Sequence, residues 1–202
     1  NIVAKYFFWS LFMIFRQDYI NAITPFIDKN IVKILAGVRR CGKSTIFEMI
    51  KEELLKRNVS PQNIISKNYT DISFDKNFTE KDMFDDIKKS ITPKEKYYLL
   101  LDELQEIKGW EKVVNNLLEK ENVDIYVTGS NSKLMSGEIS TYLSGRYISI
   151  PVYTLSFKEF LDFKKSNNLS IKDNFEKYIK TGGFPLIALE NFDQQSAYQI
   201  VS

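Results

Sequence analysis

Gly37-Val38-Arg39-Arg40-Cys41-Gly42-Lys43-Ser44, with Thr45 behind it, carries the spacing G-x-x-x-x-G-K-[ST] at every fixed position. Such a loop holds phosphate only where a strand ends and a helix begins. Upstream, Ile31-Val32-Lys33-Ile34-Leu35-Ala36 is short, apolar and β-branched, as expected of a strand buried in a parallel sheet. Downstream, Ile46, Met49, Ile50, Leu54 and Leu55 recur at helical spacing among Glu and Lys. The glycines allow a tight turn, so that backbone N–H groups and the helix N-terminus surround a phosphate. Lys43 is expected to reach the terminal phosphates and the Ser44 hydroxyl to bind Mg²⁺. Gly37, Arg39, Arg40, Cys41, Gly42 and Thr45 complete the expected nucleotide site. Cys41 occupies a freely varying slot, which argues against a catalytic thiol. The bland alternative, a chance glycine turn before an amphipathic helix, is weakened by the presence of both flanks.

At 202 residues the chain is long enough for one sizeable core and the start of a second domain. With 44% hydrophobic and 27% charged residues, it has the composition of an ordinary globular protein. One cysteine excludes an internal disulfide framework and points to a reducing, cytoplasmic compartment; the lack of histidine argues against zinc and histidine acid–base chemistry. A net charge of +2 gives no overall electrostatic footprint for nucleic acid.

The run from Ile2 to Phe15 is strongly apolar, yet it is shorter than the roughly 20 residues needed to cross a bilayer. It also carries Lys5 and lacks a small-residue cleavage site, so an integral span is not expected. A buried or partner-binding segment, a membrane-surface anchor and a stretch upstream of a start at Met13 all remain open. The helical pattern of Tyr19, Ile20, Ile23, Phe26 and Ile27 begins just after Met13 and favours the last, with residues 1–12 as a non-native or upstream leader.

Beyond the loop and its helix, Asn58-Val59-Ser60-Pro61 is a break, and Asn63 to Tyr69 reads as a second strand. Phe78 to Ile91 reads as a helix with Thr79 at its N-cap and Met83, Phe84, Ile87 and Ile91 on its buried face. Lys96-Tyr97-Tyr98-Leu99-Leu100-Leu101-Asp102-Glu103 is an apolar run ending in two carboxylates. Asp102 at a strand's C-terminal end is expected to hold the Mg²⁺ of a nucleotide, and Glu103 to orient or activate the attacking water. Taken alone, such a run is also an ordinary solvated acidic turn; behind a phosphate loop it carries weight.

Trp110, Val113, Val114, Leu117 and Leu118 form the apolar stripe of the next helix. Asp124 to Asn131 reads as a fourth strand, ending in Thr128-Gly129-Ser130, whose hydroxyls suit contact with a γ-phosphate or with water as well as ordinary turn chemistry. Ser132 to Ser144 is helix-like, and Gly145-Arg146 leads into a fifth strand, Tyr147 to Val152. Arg146 reads either as a charge at a helix C-terminus or as an arginine finger on a neighbour's nucleotide. From Leu155 the chain turns to short charged helices, Ser156 to Lys165 and Ile171 to Lys180, followed by the turn Thr181-Gly182-Gly183-Phe184-Pro185.

With these motifs in order, the sequence resembles a family of prokaryotic AAA+-type ATPases whose loop reads Gly-x-Arg-Arg-x-Gly-Lys-Ser. The resemblance runs from about Phe15 to Pro185. It takes in Asp102-Glu103-Leu104-Gln105, Gly109-Trp110, Leu143-Ser144-Gly145-Arg146-Tyr147, Leu155-Ser156-Phe157-x-Glu159-Phe160 and Gly182-Gly183-Phe184-Pro185. It implies an α/β three-layer P-loop NTPase sandwich with a five-stranded parallel sheet, in which an extra strand separates the phosphate-loop strand from the Asp-Glu strand. The change of character at Leu155 places a domain boundary there, with a P-loop ATPase domain over 13–155, and the resemblance implies that 156–202 is the truncated start of a small helical C-terminal domain. Position by position, it assigns Lys43 and Ser44 to phosphate and Mg²⁺, Asp102 to the metal through water and Glu103 to the general base. Thr128 or Ser130 takes the sensor role and Arg146 that of the finger.

The expected function is a cytoplasmic, Mg-dependent ATPase that drives or times a conformational change, as a homo-oligomer if Arg146 acts in trans. Its client stays open between DNA and protein. A nucleotide-gated DNA- or protein-binding module with little turnover is the alternative class, supported weakly by Lys88-Lys89 and Lys164-Lys165. A small-molecule kinase fits less well, because the Asp-Glu pair suits water as acceptor. No Asn-Lys-x-Asp base-reading motif for GTP is present.

Overall fold

The computed structural model describes residues 14–71, 78–130, 142–143, 145–164, 169–190, 192 and 194–201. The leader expected over 1–12 and most of the helix expected from Ser132 to Ser144 lie outside them. The chain divides into two compact units, Asp18–Tyr153 and a second formed by Thr154–Ser202 together with the residues up to Gln17.

The first unit is built on five strands: β1 (Val32–Gly37), β2 (Ile64–Asn68), β3 (Tyr97–Asp102), β4 (Val123–Gly129) and β5 (Tyr147–Val152). They form one sheet of order β2-β3-β4-β1-β5, and every neighbouring pair is parallel. Strand β4 therefore lies between the phosphate-loop strand and the Asp-Glu strand, as the resemblance implies. β1, β3 and β4 are buried along their whole length, which explains their near-continuous apolar sequence.

Side chains alternate across the sheet. Val32, Ile34 and Ala36 of β1, Leu99 and Leu101 of β3 and Ile125 and Val127 of β4 share a core with Met83 and Ile87 of α3 (Glu80–Ser90) and with Val113, Val114 and Leu117 of α4 (Trp110–Lys120). Thr79 caps α3 as expected, its hydroxyl accepting from the Asp82 N–H while the Asp82 carboxylate accepts from the Thr79 N–H. The opposite alternation, Lys33 and Leu35 on β1 and Asp124, Tyr126 and Thr128 on β4, belongs to the other face. Helix α2 (Lys43–Lys56) packs on β1 and β4 through its buried Ile46, Phe47, Met49, Ile50 and Leu54. Helix α1 (Gln17–Ile23) buries Ile20 and Ile23 but stops short of the pattern read through Ile27. Pro25, at the start of a 3₁₀ turn over Thr24–Phe26, ends it.

The second unit contains α5 (Phe157–Phe163), α6 (Ile171–Thr181), α7 (Pro185–Leu189) and α8 (Gln194–Val201). Leu155, Phe160 and Ala188 form its core, lined by Phe157, Phe163 and Tyr178. Its backbone is tied by the Leu155 N–H donating to the Gly183 carbonyl at 2.6 Å and by the Tyr178 hydroxyl donating to the Leu155 carbonyl at 2.9 Å.

Glu159 anchors this unit. Arg16 Nε and Nη2 donate to its two carboxylate oxygens at 2.6 and 3.3 Å, and the Ser156 N–H donates at 2.8 Å. Burial pushes the Glu159 carboxyl up, but Arg16 and Ser156 outweigh it and hold the group below its ordinary 4.5. A carboxylate with a lowered folded pKa adds stability above its unfolded value and loses it as pH falls through the folded one. Acidification from pH 7 to below 4.5 is therefore expected to lower the parent's melting temperature more than that of Glu159→Gln, which is less stable at pH 7. Equal acid sensitivity in paired thermal melts would show that the pair is energetically silent.

Candidate functional site

The site forms where the C-terminal ends of β1, β3 and β4 meet the N-terminus of α2. Gly37 is the last residue of β1, and a side chain there would be driven into the Val152 carbonyl oxygen, 2.3 Å from an ideal Cβ, and into Cys41 Sγ at 2.8 Å. Only glycine lets β5 and the loop approach this closely. Cys41 is fully buried beneath the loop, an environment that keeps a thiol inert, whereas Val38, Arg39 and Arg40 are exposed. Gly42, at φ 100°, is the N-cap of α2. The helix thus starts at Lys43 with its first N–H groups free of intrahelical partners, ready for an anion.

The Lys43 ammonium is buried and donates to the Gly37 and Val38 carbonyls, both at 3.1 Å, and lies 3.6 Å from Glu103 Oε1. It therefore spans the loop it would serve. Ser44 and Thr45 are exposed on the first turn of α2. The Ser44 hydroxyl donates to Asp102 Oδ2 at 2.7 Å, joining groups 58 positions apart in the chain.

Asp102 ends β3 and is 6% exposed. Its Oδ1 accepts from the Thr128 hydroxyl, because the parallel register brings Leu101 opposite Val127 and so Asp102 beside Thr128. The Thr128 oxygen in turn accepts from the Glu103 N–H at 3.0 Å. Glu103 has φ 53°, a left-handed conformation that costs a non-glycine residue about 1–2 kcal/mol. That strain turns the chain sharply after Asp102, and Thr128 holds the turn. Of the two candidate sensor residues, Thr128 is engaged with Asp102 and Glu103, while Ser130 lies half-buried just past the end of β4.

Arg146 is not part of this cluster. It precedes β5, its carbonyl accepts from the Val32 N–H, and β5 pairs with β1 from Val32↔Tyr147 to Gly37↔Val152. It thus stands at the strand-entry edge of the sheet, about 17 Å along β1 from the phosphate loop at 3.3 Å per residue. Its guanidinium donates to Asn115 Oδ1 at 2.7 Å and to Glu119 Oε1 at 2.6 Å on α4. The Arg146 hydrogen bond holds the exposed Glu119 carboxyl below its ordinary range.

The donor set fits Mg-nucleotide. A hydroxyl and a carboxylate stand side by side, a buried lysine reaches the loop carbonyls, and the N-terminus of a 14-residue helix is open. Among the described residues no group of three or more His, Cys, Asp or Glu side chains gathers for a metal. A hard cation held here would take its other ligands from phosphate and water, the usual arrangement for Mg²⁺. Gln105, to which residue type and spacing assign no role, reaches Glu103 and Glu106 with its amide at 2.5 and 3.3 Å.

The parallel sheet with a strand inserted between the phosphate-loop and Asp-Glu strands, flanked by helices and carrying this loop, defines an AAA+-type P-loop NTPase. A family model described as an AAA domain matches residues 29–161, and the chain belongs to that family. An uncharacterized protein of Haemophilus influenzae is 37% identical over 180 residues, covering 88% of this chain and 45% of the relative. The uncharacterized protein MJ1544 of Methanocaldococcus jannaschii is 33% identical over 169 residues, covering 79% and 37%. The chain thus spans less than half the length of these curated relatives. Among solved structures, the extended Hsp104:casein complex of S. cerevisiae superposes with a TM-score of 0.55 at 17% identity, covering 93% of this chain and 36% of that one. AMPPCP-bound DnaA from Aquifex aeolicus gives 0.52 at 16% identity, covering 91% and 64%. At these identities the likeness is one of fold. No helix among the described residues is long and apolar enough to cross a membrane.

Proposed function

We propose that the chain binds Mg-ATP at residues 37–45 and hydrolyses it, using turnover to drive or time a conformational change. The observation that carries this reading is the continuous chain of contacts from the phosphate-loop Ser44 through Asp102 and Thr128 to Glu103. A helix N-terminus alone would suit any anion. A carboxylate fixed beside the loop hydroxyl suits a nucleotide carrying its cation.

Lys43 and the loop N–H groups hold the phosphates, and Ser44 and Asp102 hold Mg²⁺, Asp102 through water. When bound, the cation neutralises charge that develops on the phosphate oxygens. Glu103, one residue beyond Asp102, orients water and takes its proton. Ser130 reads the γ-phosphate from the end of β4. Phosphoryl transfer to water needs positioning and charge stabilisation rather than covalent chemistry, and these residues suffice for it. The AMPPCP held by DnaA, an ATP analogue on a similar fold, agrees with ATP as the ligand. Arg146 completes the site of a neighbouring copy.

The test is Mg-ATP binding and turnover measured together for the parent, Lys43→Ala and Glu103→Gln. Lys43→Ala is expected to lose binding. Glu103→Gln is expected to keep binding and lose about 10²–10⁴-fold in kcat, the usual range for a general base. Binding without turnover in the parent would favour the nucleotide-gated module instead, and no binding would end the nucleotide reading.

A further inference from the structure

Glu103 is held by more than its backbone. Its carboxylate Oε1 faces the Lys43 ammonium at 3.6 Å, and its Oε2 accepts from Gln105 Nε2 at 2.5 Å. The same Nε2 reaches Glu106 Oε1 at 3.3 Å. The charges set the orientation of the amide, because turning it over would press its oxygen against two carboxylates. Gln105 Oε1 is buried and meets no hydrogen-bond donor among the described residues. A glutamine placed only to satisfy local packing would have no reason to leave its own oxygen unpaired.

We infer that Gln105 is a positioning residue for the reaction: it fixes the Glu103 carboxylate so that Oε1, beside Lys43, is the oxygen that meets the attacking water. The inference rests on the hydrolytic reading above. In the present arrangement Lys43 and Gln105 occupy one carboxylate oxygen each. A triphosphate draws the Lys43 ammonium toward itself, which releases Oε1 to accept a proton, while Gln105 keeps Oε2 from rotating into its place. The left-handed turn at Glu103 makes this restraint necessary. Thr128 fixes only the N–H of that residue, and the carboxylate lies three rotatable bonds further out. The 3₁₀ turn over Leu104–Glu106, with Leu104 fully buried, carries Gln105 back over Glu103.

The experiment compares Gln105→Leu, which has no N–H, and Gln105→Asn, whose amide is one methylene too short, in the full chain. Both are expected to bind Mg-ATP within a factor of two of the parent and to keep its KM. Their kcat is expected to fall by about 10²-fold, the usual penalty for a misplacement near 1 Å. In the Glu103→Gln background, Gln105→Leu should cost nothing further, since both changes remove the same function. An unchanged kcat overturns the role. So does a loss shared equally between binding and kcat, which marks a structural residue, and so does an additive loss in the double variant. A parent that does not turn over ATP overturns the hydrolytic reading itself, whereas turnover retained in Gln105→Leu overturns the positioning role alone.

Discussion

Arg146→Ala chains mixed with Lys43→Ala chains are expected to recover ATP turnover that neither variant shows alone. Arg146 stands at the strand-entry edge of the sheet, while its own phosphate loop lies at the strand-exit edge, so no rotamer carries the guanidinium to its own site. If Arg146 is the finger proposed above, it acts on the nucleotide of a second copy. Loss of such a finger costs roughly 10³–10⁵ in rate, which makes Arg146→Ala nearly inactive by itself. In the mixture, a Lys43→Ala chain supplies an intact Arg146 to the intact loop of an Arg146→Ala neighbour. The present partners of Arg146 do not oppose this. Glu119 is exposed and Asn115 half-buried, and an exposed ion pair is screened by salt and readily exchanged for another anion. Full activity in Arg146→Ala alone would reduce the residue to the surface partner of Glu119, and a mixture as inactive as its components would rule out action in trans.

How much of this was legible in the sequence differs from element to element. The phosphate loop was read from residue types and spacing, because glycine, lysine and serine are each required there by backbone geometry or charge. β5 was placed at Tyr147–Val152 and α4 at Trp110, since Gly145 and Gly109 punctuate the chain just before them. Asp102 and Glu103 were singled out by their place at the end of an apolar run. Their link to Ser44 and Thr128 was not readable, because it depends on β3 and β4 being neighbours in a fixed register. The left-handed turn at Glu103 left no trace either, as glycine or asparagine is the usual sign of such a turn and glutamate is not. Helices α7 and α8 were missed. Pro185 reads as the end of a turn as readily as the first residue of a helix, the role it has here.

The clearest missed signal was a charge inside each of two strands that are otherwise apolar. Lys33 on β1 is 0% exposed and Asp124 on β4 is 1% exposed, and together they form a buried ion pair. The Lys33 ammonium also donates to the Lys29 carbonyl at 2.9 Å, and Asp124 Oδ2 accepts from the Asp28 N–H and the Tyr126 hydroxyl, each at 2.9 Å. Asp124→Ala is expected to lower unfolding stability by about 3–5 kcal/mol, the range for stripping one partner from a buried pair. That is a large part of the roughly 5–15 kcal/mol that holds a domain folded. It would be read as a lower urea midpoint at unchanged slope. The double variant Lys33→Met with Asp124→Leu removes both charges, so most of that loss should be regained even though the pair is gone. The pH dependence follows from Lys33. Burial lowers its pKa from 10.5 and Asp124 raises it again, with burial prevailing. Between the lowered folded value and 10.5 the unfolded chain binds more protons, so stability rises with pH across that window. Without Asp124 the opposing attraction disappears and the window widens downward. Asp124→Ala should therefore gain more stability on alkalinisation than the parent, whereas equal slopes would place the pair's contribution in packing rather than in charge.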